Sequence, residues 1–149
     1  MDPTDHPMTT LDGACHCGKV RLQFRTAVPI PDLTPRACDC SFCRKHGAAW
    51  ISDPAGSLRI HAAKNSLRTY TQGSNTARFL LCEGCGVLVA VVTGESDALL
   101  GAVNAGCLEG ELALNAPVTV SPQKLDRDAK VARWGEVWIR DVRIEEAAL

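Results

Sequence analysis

The chain has 149 residues, 46% of them hydrophobic, and a formal net charge of −1. That length suits one domain with a real core, while the neutral balance and 5% aromatic content supply neither the basic surplus nor the stacking platforms of nucleic-acid binding. No apolar run approaches the roughly 20 residues that span a bilayer, so no membrane contact is expected.

Residues 1–11 read as a flexible tail, and residues 12–149 as a single domain. The tail is polar and carries Pro3, Asp5 and Pro7. It has neither the basic start nor the apolar stretch of a signal peptide, so the expectation is a cytoplasmic protein. In a reducing compartment clustered cysteines are metal ligands before they are disulfides.

From Val20 the pattern alternates, with Val20, Leu22 and Phe24 apolar and Arg21, Gln23 and Arg25 polar, which predicts a half-buried strand. Pro29, Pro31 and Pro35 mark an extended loop that delivers the chain to Cys38. Ser41 to His46 predicts a helical turn closed by Gly47, and Ala48 to Ser52 a short strand. Asp53 to Ser57 is a turn. Leu58 and Ile60, then Leu67 to Thr71, predict further strands, followed by a turn at Gly73-Ser74-Asn75.

Arg78 to Leu81 leads into the Cys82-x-x-Cys85 knuckle, and Val87 to Val92 leaves it as a continuous apolar run suited to a buried strand. Ala98 to Val103, Val118 to Val120 and Val137 to Ile144 complete the strands, the last with a bulge near Arg140. Ser121-Pro122 is a helix-start signal, and the segment to Trp134 reads equally as helix or solvated loop. Short strands separated by turns predict a mainly β, mostly antiparallel architecture with little helix.

Seven of the eight cysteines fall in three groups, Cys15-x-Cys17, Cys38-x-Cys40-x-x-Cys43 and Cys82-x-x-Cys85. Zinc takes four tetrahedral Cys or His ligands in a structural site and three plus water in a catalytic one. Two paired knuckles, each followed by glycine, make Cys15, Cys17, Cys82 and Cys85 a structural zinc set. Cys38, Cys40 and Cys43 cap an ion from one side and form a second site. The open alternative leaves a position for a small thiol, whose pKa zinc would lower. The closed alternative completes the site with His46, His16 or Cys107. Arg44 and Lys45 follow the cluster directly and are candidate contacts for an anionic thiol, against the commoner reading of solvated surface charges.

Cys107 lies outside the groups and reads as a buried small hydrophobe rather than a redox thiol. Trp50 and Tyr70 read as core or rim aromatics, and His6 and His61 lack ligand-spaced partners.

The blocks Gly13-Ala14-Cys15-His16-Cys17-Gly18-Lys19-Val20, Cys38-Asp39-Cys40-Ser41-Phe42-Cys43-Arg44-Lys45-His46-Gly47-Ala48 and Arg78 with Cys82-Glu83-Gly84-Cys85-Gly86 resemble the glutathione-dependent formaldehyde-activating enzyme family, also called the centromere-protein-V/GFA domain family. The resemblance implies a β-tent fold of antiparallel sheets. It implies two zinc ions, a structural one on Cys15, Cys17, Cys82 and Cys85 and a catalytic one on Cys38, Cys40 and Cys43. It implies glutathione or a similar thiol as co-substrate, and cleavage or formation of the carbon–sulfur bond of S-(hydroxymethyl)glutathione. The expected activity is therefore a zinc-dependent carbon–sulfur lyase acting on thiol–aldehyde adducts, with His46 as candidate proton carrier and a small-molecule thiol and aldehyde as partners. The alternative is a non-catalytic zinc scaffold that binds a protein.

Overall fold

A computed structural model describes residues 7–72, 75–95 and 97–147. Residues 1–6, with His6, and Gly73 and Ser74 of the expected turn lie outside the described residues. The strands are β1 (Thr9–Ala14), β2 (Val20–Thr26), β3 (Arg36–Cys38), β4 (Trp50–Ile51), β5 (Ser57–Ala62), β6 (Leu67–Tyr70), β7 (Arg78–Cys82), β8 (Leu88–Thr93), β9 (Leu100–Asn104), β10 (Val118–Val120) and β11 (Asp141–Glu146). Two α-helices join them, α1 (Ser41–His46) and α2 (Arg127–Val137). The mainly β fold with little helix is as expected.

The strands form two sheets, one ordered β1-β2-β5-β11 and one ordered β10-β3-β4-β9-β8-β7-β6. Most pairs are antiparallel, but β10 runs parallel to β3 and β11 parallel to β5. Both parallel strands come from the last third of the chain and reach their partners through long connections, as parallel pairing requires.

The strict alternation of β2 is borne out: Val20, Leu22 and Phe24 are buried and Arg21, Gln23 and Arg25 exposed. Its apolar face meets Leu58 and Ile60 of β5 and, from the larger sheet, Val89, Val92 and Val103. The larger sheet buries its other face as well. There Trp50, Phe79, Val91 and Ala102 pack with Trp134 and Trp138 of the α2 region. β8 is thus covered on both sides, which is why its sequence is a continuous apolar run.

Two expectations are corrected. Residues Thr9 to Leu11 are not tail: they pair with Phe24 to Thr26 as the start of β1, because Leu11 faces the core and is 5% exposed. Val137 to Ile144 is not one strand. Val137 ends α2, Trp138 caps it, and Ile139 exchanges two backbone hydrogen bonds with Gly101 of β9, at 3.0 and 2.8 Å, before β11 begins. The helix prevails because Asp126 caps it, accepting from the Ala129 N–H at 2.8 Å, and because Trp134 and Trp138 stack at helical i,i+4 spacing.

Gly13 allows a close approach that shapes the first cysteine cluster. A Cβ there would lie 2.6 Å from the Cys107 carbonyl oxygen. The bare backbone lets β1 bridge to Leu108, which brings the Cys107 segment against the β1–β2 turn.

Candidate metal centres and the cavity between the three-thiol set and α2

The β1–β2 turn carries Cys15 and Cys17, while Cys82 ends β7 and Cys85 lies in the β7–β8 turn. These turns belong to different sheets, yet all four sulfurs lie within 4.8 Å of one another. Cys17 Sγ is 3.7 Å from Cys15 Sγ and 3.5 Å from Cys82 Sγ. A disulfide needs about 2.05 Å. A tetrahedron with zinc–sulfur bonds of about 2.3 Å has an edge of about 3.8 Å, so the spacing fits one zinc ion and not a bridge. Backbone donors are also in place, with the Val20 N–H 3.3 Å from Cys15 Sγ. Burial raises the Cys82 thiol to about 11, whereas at Cys85 burial also pushes the thiol up but is outweighed by hydrogen bonds from the Val87 and Cys17 backbone and the Cys82 and Cys15 side chains together, which bring it down to about 6.

The second set is Cys38, Cys40 and Cys43, all buried, again with sulfurs within 4.8 Å of one another. Cys38 ends β3, and Cys40 is the N-cap of α1: its sulfur accepts from the Cys43 N–H at 3.4 Å. Cys43 then points back from the first turn of the helix. Gly47 ends that turn at φ 62°, in the left-handed region that glycine adopts without a Cβ penalty. The Gln72 amide lies 3.9 Å from Cys40 Sγ. The Cys43 thiol, donating to Cys38, brings Cys38 down to about 6, and Cys43 rises correspondingly. A set that already favours one thiolate without metal is suited to a cation.

No fourth donor joins these three among the described residues. His46 is exposed and its ring lies 4.7 Å from that of Phe42. His16 is exposed, and Cys107 is buried near the other cluster, donating to the Leu88 carbonyl at 3.3 Å. Burial, with the nearby Cys15 and Cys85, raises its thiol to about 11, consistent with a buried small hydrophobe. His61 is on β5, 3.2 Å from Glu145.

The three thiols form part of the wall of a cavity of about 700 Å³, within the range of small-molecule sites. Arg44 and Lys45 do not line it; Arg36, Lys130 and Arg133 do. The reason is helical rotation. Cys43 faces inward, each following residue turns about 100° further, and Arg44 and Lys45 are exposed on the far side of α1. In the last turn they complement the helix dipole instead. No acidic side chain lines the cavity among the described residues.

Arg36 is half-buried, and its Nη2 donates to Ser52 Oγ at 2.6 Å, while Ser52 Oγ donates to the Val137 carbonyl at 2.5 Å. Burial, and then the charge of Arg133, lower the Arg36 pKa. An anion in the cavity would relieve both. Sequence reasoning missed Arg36, although it lies two residues before Cys38 on β3 and so shares its face of the strand. It missed Lys130 and Arg133 because no local motif holds them; they meet the cysteines only through the docking of α2. The stacked pair Trp134 and Trp138, with ring centroids 4.5 Å apart, completes the apolar part of the wall.

A sequence model of the glutathione-dependent formaldehyde-activating enzyme family matches residues 10–124. The chain is 41% identical over 61 residues to a Halomonas elongata protein provisionally named a glutathione-dependent formaldehyde-activating enzyme, a match covering 38% of this chain and 37% of that protein. The matched part is thus little more than a third of that relative's length. Among solved structures, the fold is similar to a crystal structure of a Rhodobacter sphaeroides protein at 29% identity and a TM-score of 0.56, covering 72% of this chain and 99% of the other.

Proposed function

Because the chain belongs to the glutathione-dependent formaldehyde-activating enzyme family, we propose that it is a carbon–sulfur lyase that makes and cleaves thiol–aldehyde adducts such as S-(hydroxymethyl)glutathione. The observation that carries this reading is the three-thiol set, with no fourth donor among the described residues, in the wall of a cavity that also presents three cationic side chains. Cys38, Cys40 and Cys43 would hold zinc, and that ion, when bound, supplies a Lewis acid that favours the thiolate form of an incoming thiol. Cys15, Cys17, Cys82 and Cys85 would hold a second zinc with a structural role.

The remaining work falls to the chain's own side chains. Arg36 and Lys130 bind the carboxylates of the thiol by charge-assisted hydrogen bonds and fix its sulfur toward the cysteine wall. Fixing both reactants converts a bimolecular addition into an effectively unimolecular one. The apolar wall from α2 excludes water and so strengthens each polar contact. A closed second site would have favoured a protein-binding scaffold; the exposed position of His46 and the distant burial of Cys107 support the enzyme.

The test is a titration of glutathione into the cobalt-substituted protein. The cobalt absorption of the second site should change at millimolar thiol, and Lys130→Glu should weaken the change roughly tenfold, about 1.4 kcal/mol. If cobalt stays bound and its spectrum is unmoved by glutathione, the thiol reading fails.

A further inference from the structure

We propose that this site takes a bulky apolar aldehyde, with an aryl ring or an alkyl chain, in preference to formaldehyde. The inference rests on the reading of the site as a thiol–aldehyde lyase and deepens it. The family match ends at residue 124, yet the cavity wall continues past it. Leu125, Trp134, Val137 and Trp138 all line the space beside the three thiols. Trp134 and Trp138 stack with their planes 13° apart, and Phe79 and Val91 of the larger sheet add to the same cavity.

Most of these groups pack α2 on the larger sheet, and their cavity-facing sides have no apolar counterpart in S-(hydroxymethyl)glutathione. Its two carboxylates are matched by Arg36, Lys130 and Arg133, and the carbon that comes from the aldehyde bears only hydrogens and a hydroxyl. The part of the aromatic and aliphatic surface that faces the cavity would meet no apolar group of that adduct, and burying a substrate's own apolar surface there is favourable. An aldehyde with an apolar substituent fills that space, and an aryl substituent can also pack against the indole faces. The reaction is unchanged. The thiol sulfur bonds to the carbonyl carbon, the π electron pair moves to oxygen, and oxygen gains the proton that sulfur gives up. No oxidant or reductant enters.

The test uses stable thioethers, in which the sulfur substituent stands in for the aldehyde skeleton. Calorimetry of the zinc-loaded full chain should show S-benzylglutathione and S-hexylglutathione binding at least tenfold more tightly than S-methylglutathione. Ala77 lines the same cavity and is 8% exposed. Ala77→Leu should narrow the preference to within about threefold. The wild-type ranking needs no variant, so it stands as a test even if Ala77→Leu fails to fold. Equal affinity for all three thioethers overturns the apolar-aldehyde proposal and leaves the glutathione site standing. No binding by any of them, together with a silent cobalt titration, overturns both.

Discussion

Cys40 serves two purposes with one sulfur atom, and a single change separates them. Its Sγ caps α1 by accepting from the Cys43 N–H, and it belongs to the three-thiol set. Serine is an excellent N-cap but a poor zinc ligand. Cys40→Ser should therefore keep α1 and the fold while losing one metal ion. Mass spectrometry of the metal content should fall from about two zinc per chain to about one, with an unchanged far-ultraviolet circular dichroism spectrum; an unchanged zinc count would remove Cys40 as a ligand. The cysteines were legible in the sequence because ligands of one turn are sequence neighbours. The cations were only partly so. Arg36 stands two residues before Cys38 on one strand, a spacing that puts both on one face, but Arg44 and Lys45 are adjacent to Cys43 and rotate away from it, whereas Lys130 and Arg133 reach the cavity from α2. Spacing alone cannot report a meeting made by tertiary packing.

At the level of elements, α2 sets the shape of the cavity. Its sequence is mostly polar and mixed in charge, which is why residues 122–134 read equally as helix or loop. What decides for helix is the Asp126 cap and the Trp134–Trp138 stack. The misreading of Val137 to Ile144 as one strand has the same origin, since apolar Val137 and Ile139 alternate with polar or capping positions and mimic period two. By contrast β2 and β8 were read correctly, because their burial is fixed by whole-sheet packing that strict alternation and a continuous apolar run report directly. Removing the cap tests the role of α2. Asp126→Ala should cost about 1 kcal/mol and speed hydrogen exchange of the α2 amides about fivefold, a factor that corresponds to that energy. Both metal ions should be retained, because none of the seven grouped cysteines lies on α2. Exchange of α2 at the wild-type rate would mean that the Asp126 hydrogen bond does not hold the helix.

For the molecule as a whole, the two cysteine sets differ in what they connect. Cys38, Cys40 and Cys43 sit within one sheet and the helix that follows it, so metal there constrains about six residues of chain. Cys15 and Cys17 belong to the four-stranded sheet, and Cys82 and Cys85 to the seven-stranded sheet, so metal there would staple one sheet to the other across the main core. Zinc bound by a closed four-thiolate site contributes on the order of 10 kcal/mol in small domains, as large as the whole stability of a typical domain, about 5–15 kcal/mol. Losing one ligand leaves a weaker three-thiolate site, and the core of Leu22, Phe24, Ile60, Val89 and Val103 then has to hold the sheets by burial alone. Cys85→Ser should thus destabilise the protein by about 3–5 kcal/mol, or leave it aggregated, whereas Cys40→Ser should cost less than about 1 kcal/mol. Chelation should follow the same order. Stepwise removal of zinc should empty the three-thiol site first with the circular dichroism signal intact, and loss of the second ion should coincide with unfolding. A Cys85→Ser protein that melts at the wild-type temperature, or a single unfolding step on removal of the first ion, would show that the four-cysteine set does not join the sheets.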